Sequence, residues 1–353
     1  MNRLYPRISP FAVHRVGVGD GHIVHVEECG NSDAPVVLFL HGGPGSGCNA
    51  DHRRYFDPGS YRIVLVDQRG CGRSTPPGGV CANTTDQLVQ DLEIIRRRLD
   101  IERWLLFGGS WGATLALAYA QRHGDPVSAM ILRGTFLARA KDLAWFFGAD
   151  GVARVFPDAY VDLLQLVPSA ERHDLIGAYH RRVHGGDEEV AFEWARAWSS
   201  WADRIATWTL PPSQEQGQQD DPGAHATAEN VSRGYKDRFH HPRPHPEGDK
   251  ERARRDFNGS RQRLLAKVRI ETHYAVHGYF LGNCPLLDGV VRLPDVPVTI
   301  VHGRRDLVCP VEAAWTLNRA IPGSRLILLP DAGHLAVEPA MVDALVGETN
   351  RFR

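Results

Sequence analysis

One serine in the sequence has the surroundings that a nucleophile requires. Ser110 is the third residue of GGSWG (108–112), which fits the pattern G-x-S-x-G and lies between an apolar run (103–109) and an Ala- and Leu-rich run (111–123). A sharp turn from a strand into a helix strains the serine backbone, and small residues two positions to either side avoid a collision. The helix N-terminus also favours developing negative charge. The pattern therefore predicts a nucleophile rather than an incidental serine in a glycine-rich turn.

A serine nucleophile needs a base, and the base needs an acid that orients it. In sheet proteins with this serine turn, the chain order is serine, acid, histidine. Asp306 follows the apolar run VTIVHG (298–303), and His334 follows RLILLPD (325–331). Both therefore lie after the carboxyl ends of late strands, where parallel sheets place their sites. Asp331 is the competing acid, but it would need an abrupt return within its own loop, so we favour Asp306.

The negatively charged oxygen of an acyl-transfer intermediate needs two backbone N–H donors. The amide of Trp111, directly after the predicted nucleophile, would be one of them. The other would come from HGGPG (41–45), which follows a predicted strand and whose glycines allow the backbone to approach a carbonyl oxygen closely. A tight turn that binds no ligand is the alternative interpretation of this segment.

Strand and helix signals alternate at both ends of the sequence. Two period-two runs around GDG (19–21) predict a hairpin, and short continuous apolar runs predict strands that are buried on both faces. Thr84 and Gln87 predict a capping box at the start of an amphipathic helix. The alternation predicts a mostly parallel sheet with helices on both faces. Strands are predicted at 11–19, 22–29, 34–40, 61–67, 103–109, 127–133, 296–303 and 325–331, and helices near 84–99, 111–123, 311–320 and 336–350.

The strand signal disappears in the middle of the chain. Residues 136–285 have a helical pattern that is rich in tryptophan and phenylalanine, so we predict a helical cap there, inserted into a core of residues 1–135 and 286–353. Within the cap, residues 211–260 contain only four residues of the types Val, Ile, Leu, Met, Phe, Trp and Tyr. So little apolar surface predicts a flexible loop, with room for one short helix near 228–240.

The composition is that of an ordinary globular protein. Lys and Arg number 41 against 42 for Asp and Glu, which gives a formal charge of −1. This balance argues against nucleic-acid or membrane partners, because both need a large basic excess. No apolar run is long enough for a signal-peptide core or a membrane span, and the 6 cysteines contain no C-x-x-C pair. We predict a reduced, cytoplasmic protein that needs no metal or disulfide to hold it together.

Six motifs carry a family resemblance: HGGPG (41–45), DQRGCGRS (67–74), GGSWGATLALAYA (108–120), RGTF (133–136), HGRRDLVCP (302–310) and DAGH (331–334). They closely resemble the motifs of the prolyl aminopeptidases, also called proline iminopeptidases, of the α/β-hydrolase superfamily. The resemblance covers nearly the whole chain except the polar stretch 211–260. It implies the α/β-hydrolase fold and a cytoplasmic, cofactor-free serine peptidase that removes an N-terminal residue, typically proline.

The resemblance also implies roles for individual residues. By motif position, Ser110, Asp306 and His334 match the catalytic triad of the family. Gly43 and Trp111 match its oxyanion donors.

An aminopeptidase must also recognise the free α-amine of its substrate. A cationic amine that becomes buried needs a carboxylate beside it. Family members supply two glutamates, one in a W-S-x-W-E motif and one in an R-I-E-x-H-Y motif. The second motif is intact at 269–274 and implies Glu271. The first is broken, since WSSW (198–201) is followed by Ala202, and Asp203, one residue later, is shorter and turned by about 100° along a helix.

The pocket for the substrate side chain departs from the family as well. Phe136 matches the aromatic residue of an R-G-x-F motif, whereas Phe146 and Phe147 stand where tyrosines are usual and Ala275 where a phenylalanine is expected. The catalytic residues are thus complete and the specificity residues altered. The sequence predicts a serine aminopeptidase that acts after proline or another small residue, with the preference for proline left open.

Two other functions stay open at this point. An amidase or esterase that acts on an aminoacylated small molecule would fit the altered pocket. A ligand-binding protein on a hydrolase scaffold would fit the fold, although the complete triad argues against it. The predicted partner is therefore a peptide or an aminoacyl small molecule, and the sequence leaves the oligomeric state open.

Overall fold

The protein is described by a computed structural model that covers residues 2–210, 247–282 and 286–353. Two units are distinguished along the chain, one formed by Met1–Leu210 with Arg263–Arg353 and the other by Pro211–Gln262. The second unit is described only over 247–262, where the chain is helical.

A single 8-stranded sheet runs through the first unit in the order β1-β2-β4-β3-β5-β6-β7-β8. The pairs β1–β2 and β2–β4 are antiparallel, and every later pair is parallel. The predicted hairpin and the mostly parallel sheet are therefore confirmed. The strands are β1 Ala12–Gly19, β2 His22–Gly30, β3 Val36–Leu40, β4 Arg62–Asp67, β5 Trp104–Gly109, β6 Val127–Arg133, β7 Val298–Gly303 and β8 Arg325–Leu329.

Alternate residues of the central strands are buried on opposite faces of the sheet. In β3, Leu38 and Leu40 belong to one apolar cluster, and Val37 and Phe39 belong to another. Successive side chains of a strand point to opposite faces, so a strand covered on both sides must be apolar throughout. This is why the central strands appear in the sequence as continuous apolar runs.

Helices flank this sheet, and those predicted from the sequence occur close to their expected positions. Helix α2 is buried along its whole length, as its Ala- and Leu-rich sequence requires. Thr84 accepts a hydrogen bond from the backbone N–H of Gln87 at 3.3 Å, but the structure shows no return bond from the Gln87 side chain, so only half of the predicted capping box forms. The helices are α1 Thr85–Arg98, α2 Trp111–Ala120, α3 Ala140–Phe147, α4 Pro157–Leu164, α5 Leu175–Val183, α6 Glu188–Ala206, α7 Glu247–Val276, α8 Val311–Ala320 and α9 Pro339–Arg351.

Between β6 and β7 the described residues form helices and no strand, as the sequence predicted. We call α3 to α7 the helical segment; the predicted cap boundaries at 136 and 285 stay a prediction. The predicted loop over 211–260 is wrong for 247–260, which belong to α7, because Glu, Lys, Arg and Ala favour helix even where little apolar surface is available. The remainder of that prediction, including the short helix near 228–240, lies outside the described residues. No helix among the described residues is long and apolar enough to cross a membrane.

Candidate active site

Ser110 occupies a strained turn between β5 and α2. Its φ of 55° and ψ of −121° are unusual for a residue with a side chain, and its N–H donates to the carbonyl oxygen of Arg133 at 2.8 Å. A Cβ atom on Gly112 would collide with the carbonyl oxygen of Leu40, and one on Gly108 would collide with that of Gly112. The two small residues of the motif are therefore required by the close approach of β3, β5 and α2. The turn leaves the Ser110 side chain partly accessible at the start of α2.

Asp306 and His334 come together beyond the carboxyl ends of β7 and β8. The His334 Nδ1 atom donates to Oδ2 of Asp306 at 2.8 Å. The other oxygen of Asp306 accepts from the N–H groups of Val308 and Cys309 at 3.0 and 2.8 Å. Burial raises the pKa of Asp306, but the His334 ring and these hydrogen bonds outweigh it and hold the pKa below its ordinary value. An ionised Asp306 fixes the proton of His334 on Nδ1 and leaves Nε2 free to accept one.

A second histidine lies beside Asp306 but has no free nitrogen. Nε2 of His302 is 3.6 Å from Oδ2 of Asp306. Its Nδ1 accepts from the N–H of Thr135 at 3.1 Å, so its proton is on Nε2, which donates to the carbonyl oxygen of Cys309 at 2.8 Å. Burial lowers the pKa of His302, which keeps the ring neutral. With both nitrogens in use, His302 has no lone pair to offer a hydroxyl.

The competing acid, Asp331, points away from the histidine. Its side chain is 81% exposed and pairs with Arg305 at 2.9 Å. Asp306 is buried and Asp331 is on the surface, so the structure brings only Asp306 to His334.

Two buried charged side chains hold the His334 loop in place. Nη1 of Arg133 donates to the carbonyl oxygen of His334 at 2.6 Å, and the same guanidinium packs against Gly109, next to the serine turn. Glu338 accepts from the N–H groups of Gly333 and Leu335 at 2.8 and 3.1 Å. The backbone on both sides of the histidine is thus fixed, and Arg133 ties it to the Ser110 turn.

The loop after β3 lies directly beside the serine. A Cβ atom on Gly42 would be 3.3 Å from Cβ of Ser110, so this loop passes against the residue at the turn. Within the described residues, the N–H groups of Gly43 and Trp111 donate no hydrogen bond to the protein. One of these N–H groups follows Ser110 directly and the other lies in the loop beside it, which matches the need of an oxyanion for two donors.

Aromatic rings form one wall beside this edge of the sheet. The Tyr279 ring lies 5.5 Å from the Trp111 ring and 4.8 Å from the Phe136 ring. The predicted pocket residue Phe146 lies elsewhere in the helical segment, with its ring 4.8 Å from that of Phe147 and 6.0 Å from that of Trp201. The structure therefore connects Phe136 through the Tyr279 ring to the ring of Trp111, whose backbone N–H is a predicted oxyanion donor, and places Phe146 among the rings of α3 and α6.

Glu271 lies on α7 with its side chain 12% exposed. Oε2 accepts a hydrogen bond from Nε1 of Trp198 on α6 at 3.0 Å, and Oε1 is 3.8 Å from Nζ of Lys267, one helical turn earlier. Burial raises the pKa of Glu271, as does the negative charge of Asp203, whereas the Lys267 ammonium and the Trp198 indole lower it. The predicted anchor for a substrate amine is thus already paired with a cation of the protein.

Asp203 is exposed but electrostatically close to this pair. Its carboxylate accepts from the Ser199 hydroxyl at 3.2 Å. The pKa of Lys267 is raised, first by Glu271 and further by Asp203 against the opposing effect of burial. The structure therefore brings both predicted amine-binding carboxylates, Glu271 and Asp203, into one charge cluster with Lys267.

Comparison with known proteins identifies the family of this chain. A model of the α/β-hydrolase fold matches residues 35–340. The chain is 43% identical over 353 residues to the proline iminopeptidase of Xylella fastidiosa, covering 100% of both proteins. It is 41% identical over 352 residues to the proline iminopeptidase of Arabidopsis thaliana, covering 99% of this chain and 82% of the plant protein. This chain belongs to the proline iminopeptidase family.

Solved structures agree on the fold. A hydrolase from Pseudomonas aeruginosa superposes with a TM-score of 0.60 over 97% of this chain and 98% of its own, at 17% identity. At such low identity the likeness concerns the fold alone. The α/β-hydrolase fold and the family resemblance predicted from the sequence are both confirmed.

Three residues of this site were not found by comparing the sequence with proline iminopeptidases. Lys267 stands four residues before Glu271, a helical spacing that could have pointed to an ion pair. Trp198 is part of WSSW (198–201), and a buried indole N–H needs an acceptor, which the structure identifies as Glu271. Tyr279 has a positive φ of 57°, and its hydroxyl makes no hydrogen bond within the described residues. Only Lys267 could have been inferred from spacing, because the other two contacts join distant parts of the chain.

The sequence motif containing Asp306 also brings a cysteine to the serine. Burial raises the pKa of the Cys309 thiol, and a contact with the Ser110 side chain lowers it. Cys309 therefore lies beside the predicted nucleophile as an un-ionised thiol.

Proposed function

We propose that this protein is a serine aminopeptidase that hydrolyses the amide bond after an N-terminal proline or another small residue. The observation that carries the proposal is the His334 ring, which is held at Nδ1 by Asp306, free at Nε2, and tied through Arg133 to the strained turn of Ser110. The family membership of the chain and the activity for which its relatives are named support the same function.

Acylation would begin when Nε2 of His334 accepts the Ser110 proton as Oγ attacks the substrate carbonyl carbon. The carbonyl oxygen becomes an oxyanion between the N–H groups of Gly43 and Trp111. Asp306 stabilises the imidazolium that forms. When the tetrahedral intermediate collapses, the C–N bond breaks and the leaving amine takes the proton from Nε2.

Deacylation would repeat these steps with water as the nucleophile. Nε2 of His334 accepts a proton from water, and the hydroxide attacks the ester carbonyl of acylated Ser110. Collapse of the second intermediate returns the proton to Oγ and releases the N-terminal amino acid. The substrate and one water molecule supply every atom that the two half-reactions need.

Substrate recognition would use the charge cluster and the aromatic wall. The α-ammonium of the substrate would lie against Glu271, with Asp203 adding negative potential. Phe136 would contact the side chain of the N-terminal residue, and Phe146 would act through the rings of α3 and α6.

A panel of paired substrates tests the proposal. Kcat/KM would be measured for prolyl, alanyl and leucyl arylamides, for their N-acetyl derivatives, and for an aryl ester that carries no amine. We expect the free prolyl or alanyl arylamide to be hydrolysed fastest among the amides, and N-acetylation to abolish most of the turnover. Equal turnover of the free and N-acetylated amides would contradict an aminopeptidase.

The second candidate is an amidase or esterase that acts on an aminoacylated small molecule. The observation that favours it is the pairing of Glu271 with Lys267, together with Ala202 at the position of the family's other glutamate. Such an enzyme would hydrolyse the aryl ester faster than every free aminoacyl arylamide in the same panel. Failure of a fluorophosphonate to label Ser110 would instead favour a ligand-binding protein on this scaffold.

A further inference from the structure

Lys267 lies on the same face of α7 as Glu271, above the oxyanion loop. A Cβ atom on Gly45 would come within 2.7 Å of the carbonyl oxygen of Lys267, so the backbone of α7 at this residue packs against the HGGPG segment (41–45). The Lys267 side chain is 29% exposed, and its Nζ atom is 3.8 Å from Oε1 of Glu271. The backbone of Lys267 is therefore fixed against the predicted oxyanion loop, and its ammonium lies beside the predicted amine anchor.

The contacts with Lys267 and Trp198 use only some of the hydrogen-bond acceptor sites of the Glu271 carboxylate. An ionised carboxylate offers about four lone-pair sites, and one is used by the Trp198 indole at 3.0 Å. Nζ at 3.8 Å is within ion-pair range but beyond ordinary hydrogen-bond distance. A substrate ammonium could therefore still bind Glu271, although it would do so near a like charge.

The charges of the cluster decide how strongly an ammonium binds. Lys267 contributes one positive charge, and Glu271 and Asp203 contribute two negative charges, so one negative charge remains. A substrate with one cationic amine neutralises the cluster.

We propose that Lys267 is a specificity-determining residue that weakens ammonium binding at Glu271 and so reduces the preference of the site for substrates with a free amine over those without one. This deepens the proposed function and rests on it for the identity of the amine site. It assigns to Lys267 a role in substrate choice, in addition to any contribution that its packing against Gly45 makes to the fold.

A binding experiment separates the charge of Lys267 from its packing. The Ser110→Ala protein would serve as the background, so that probes are not turned over. Isothermal titration calorimetry would give dissociation constants for L-alaninamide and for N-acetyl-L-alaninamide, with Lys267→Met, Lys267→Arg and Lys141→Met introduced separately. Lys141 is the matched control, because it is an exposed lysine whose Nζ lies 3.0 Å from Glu312.

We expect Lys267→Met to tighten the binding of L-alaninamide by about tenfold, since removing a nearby like charge favours the bound cation. Lys267→Arg retains the charge and should bind as the parent does, and Lys141→Met should change nothing. The N-acetyl probe, which has no cation, should bind all four proteins alike. Circular dichroism melting curves would verify that each variant is folded.

Unchanged or weaker binding of L-alaninamide by Lys267→Met would overturn the proposal, and so would equal tightening of the N-acetyl probe or of the Lys267→Arg protein. The titration measures binding and not turnover, so the outcome of the binding experiment does not depend on the outcome of the substrate panel. If the panel shows no aminopeptidase activity but Lys267→Met tightens amine binding, the inference about Lys267 stands and the proposed function falls.

Discussion

The carboxyl edge of the sheet and the helical segment differ in how their functional residues are positioned. At the sheet edge, Ser110 follows β5 directly, Asp306 and His334 lie in the loops after β7 and β8, and all three are held by hydrogen bonds that involve backbone groups. In the helical segment, Glu271 meets Trp198 from another helix, 73 residues away, through side chains alone. A position fixed by the backbone tolerates little change, whereas contacts between helix side chains can be altered without disturbing the fold. The difference explains how a complete set of predicted catalytic residues can coexist with an altered predicted amine site.

The substitution with the largest expected effect is the one that removes the predicted nucleophile. Ser110→Ala should lower kcat by about 10⁵-fold on both an arylamide and an aryl ester, since triad members act as a unit. Initial rates for the two substrates would be compared with those of Ser128→Ala, which changes an exposed serine in β6. If Ser110→Ala retains near-normal turnover, the sheet edge does not carry out the hydrolysis, and the proposed difference in function between the sheet edge and the helical segment is wrong.

The acid is tested by a matched pair of substitutions. Asp306→Asn should reduce kcat by about 10⁴-fold, because an amide no longer holds the His334 proton on Nδ1. Asp331→Asn removes the exposed acid of the same region and should leave kcat unchanged. Kinetics of both variants at pH 7 would decide between the acids. The reverse order of effects would assign the role to Asp331.

The helical segment is tested by removing the negative charge of Glu271, the predicted anchor for the substrate amine. Glu271→Gln should lower kcat/KM for free-amine arylamides by about 10- to 100-fold, through KM, and leave the aryl ester unaffected. Asp203→Asn should have a smaller effect in the same direction, about twofold to fivefold, because its carboxylate is exposed and screened. Parallel losses on amide and ester would show that Glu271 supports the catalytic residues rather than the amine.

The smallest expected effect concerns stability in acid. Burial lowers the pKa of His184 and His273 in the helical segment to about 4 from 6.5. Because the folded state binds these protons less well than the unfolded state, their stabilisation is fully present above pH 6.5 and is lost as the pH falls towards 4. After a discount for solvent screening, each should account for about 1 kcal/mol of the stability lost between pH 7 and pH 5.

Urea unfolding at pH 7 and pH 5 would measure this loss. His184→Gln should lose less stability between the two pH values than the parent, whereas His173→Gln, at an exposed position, should lose as much as the parent. Asp306, whose pKa lies below its ordinary value, stays ionised at pH 5 and keeps the sheet edge intact. An identical loss in the parent and in His184→Gln would remove the predicted acid sensitivity of the helical segment.

Much of the sheet edge could be predicted from the sequence, and the reasons are local. Continuous apolar runs identify strands buried on both faces, and the glycines around Ser110 identify a turn that no larger residue could form. The position of Asp306 and His334 after late strands then placed them at one edge. The helix over 247–260 was missed, since low apolar content was taken to exclude order although the residues there favour helix.

The sequence by itself determined the fold, the order of the site residues and the break in the first amine-binding motif at Ala202, because each depends on local pattern and chain order. Only the tertiary structure decided that His302 has no free nitrogen, that Asp331 faces outward, and that the backbone of Lys267 packs against Gly45 of the HGGPG segment. Those facts depend on which side chains meet across elements that are far apart along the chain. Tertiary contacts between charged side chains determine the charge of a binding site, and the amino-acid sequence alone does not show which contacts form.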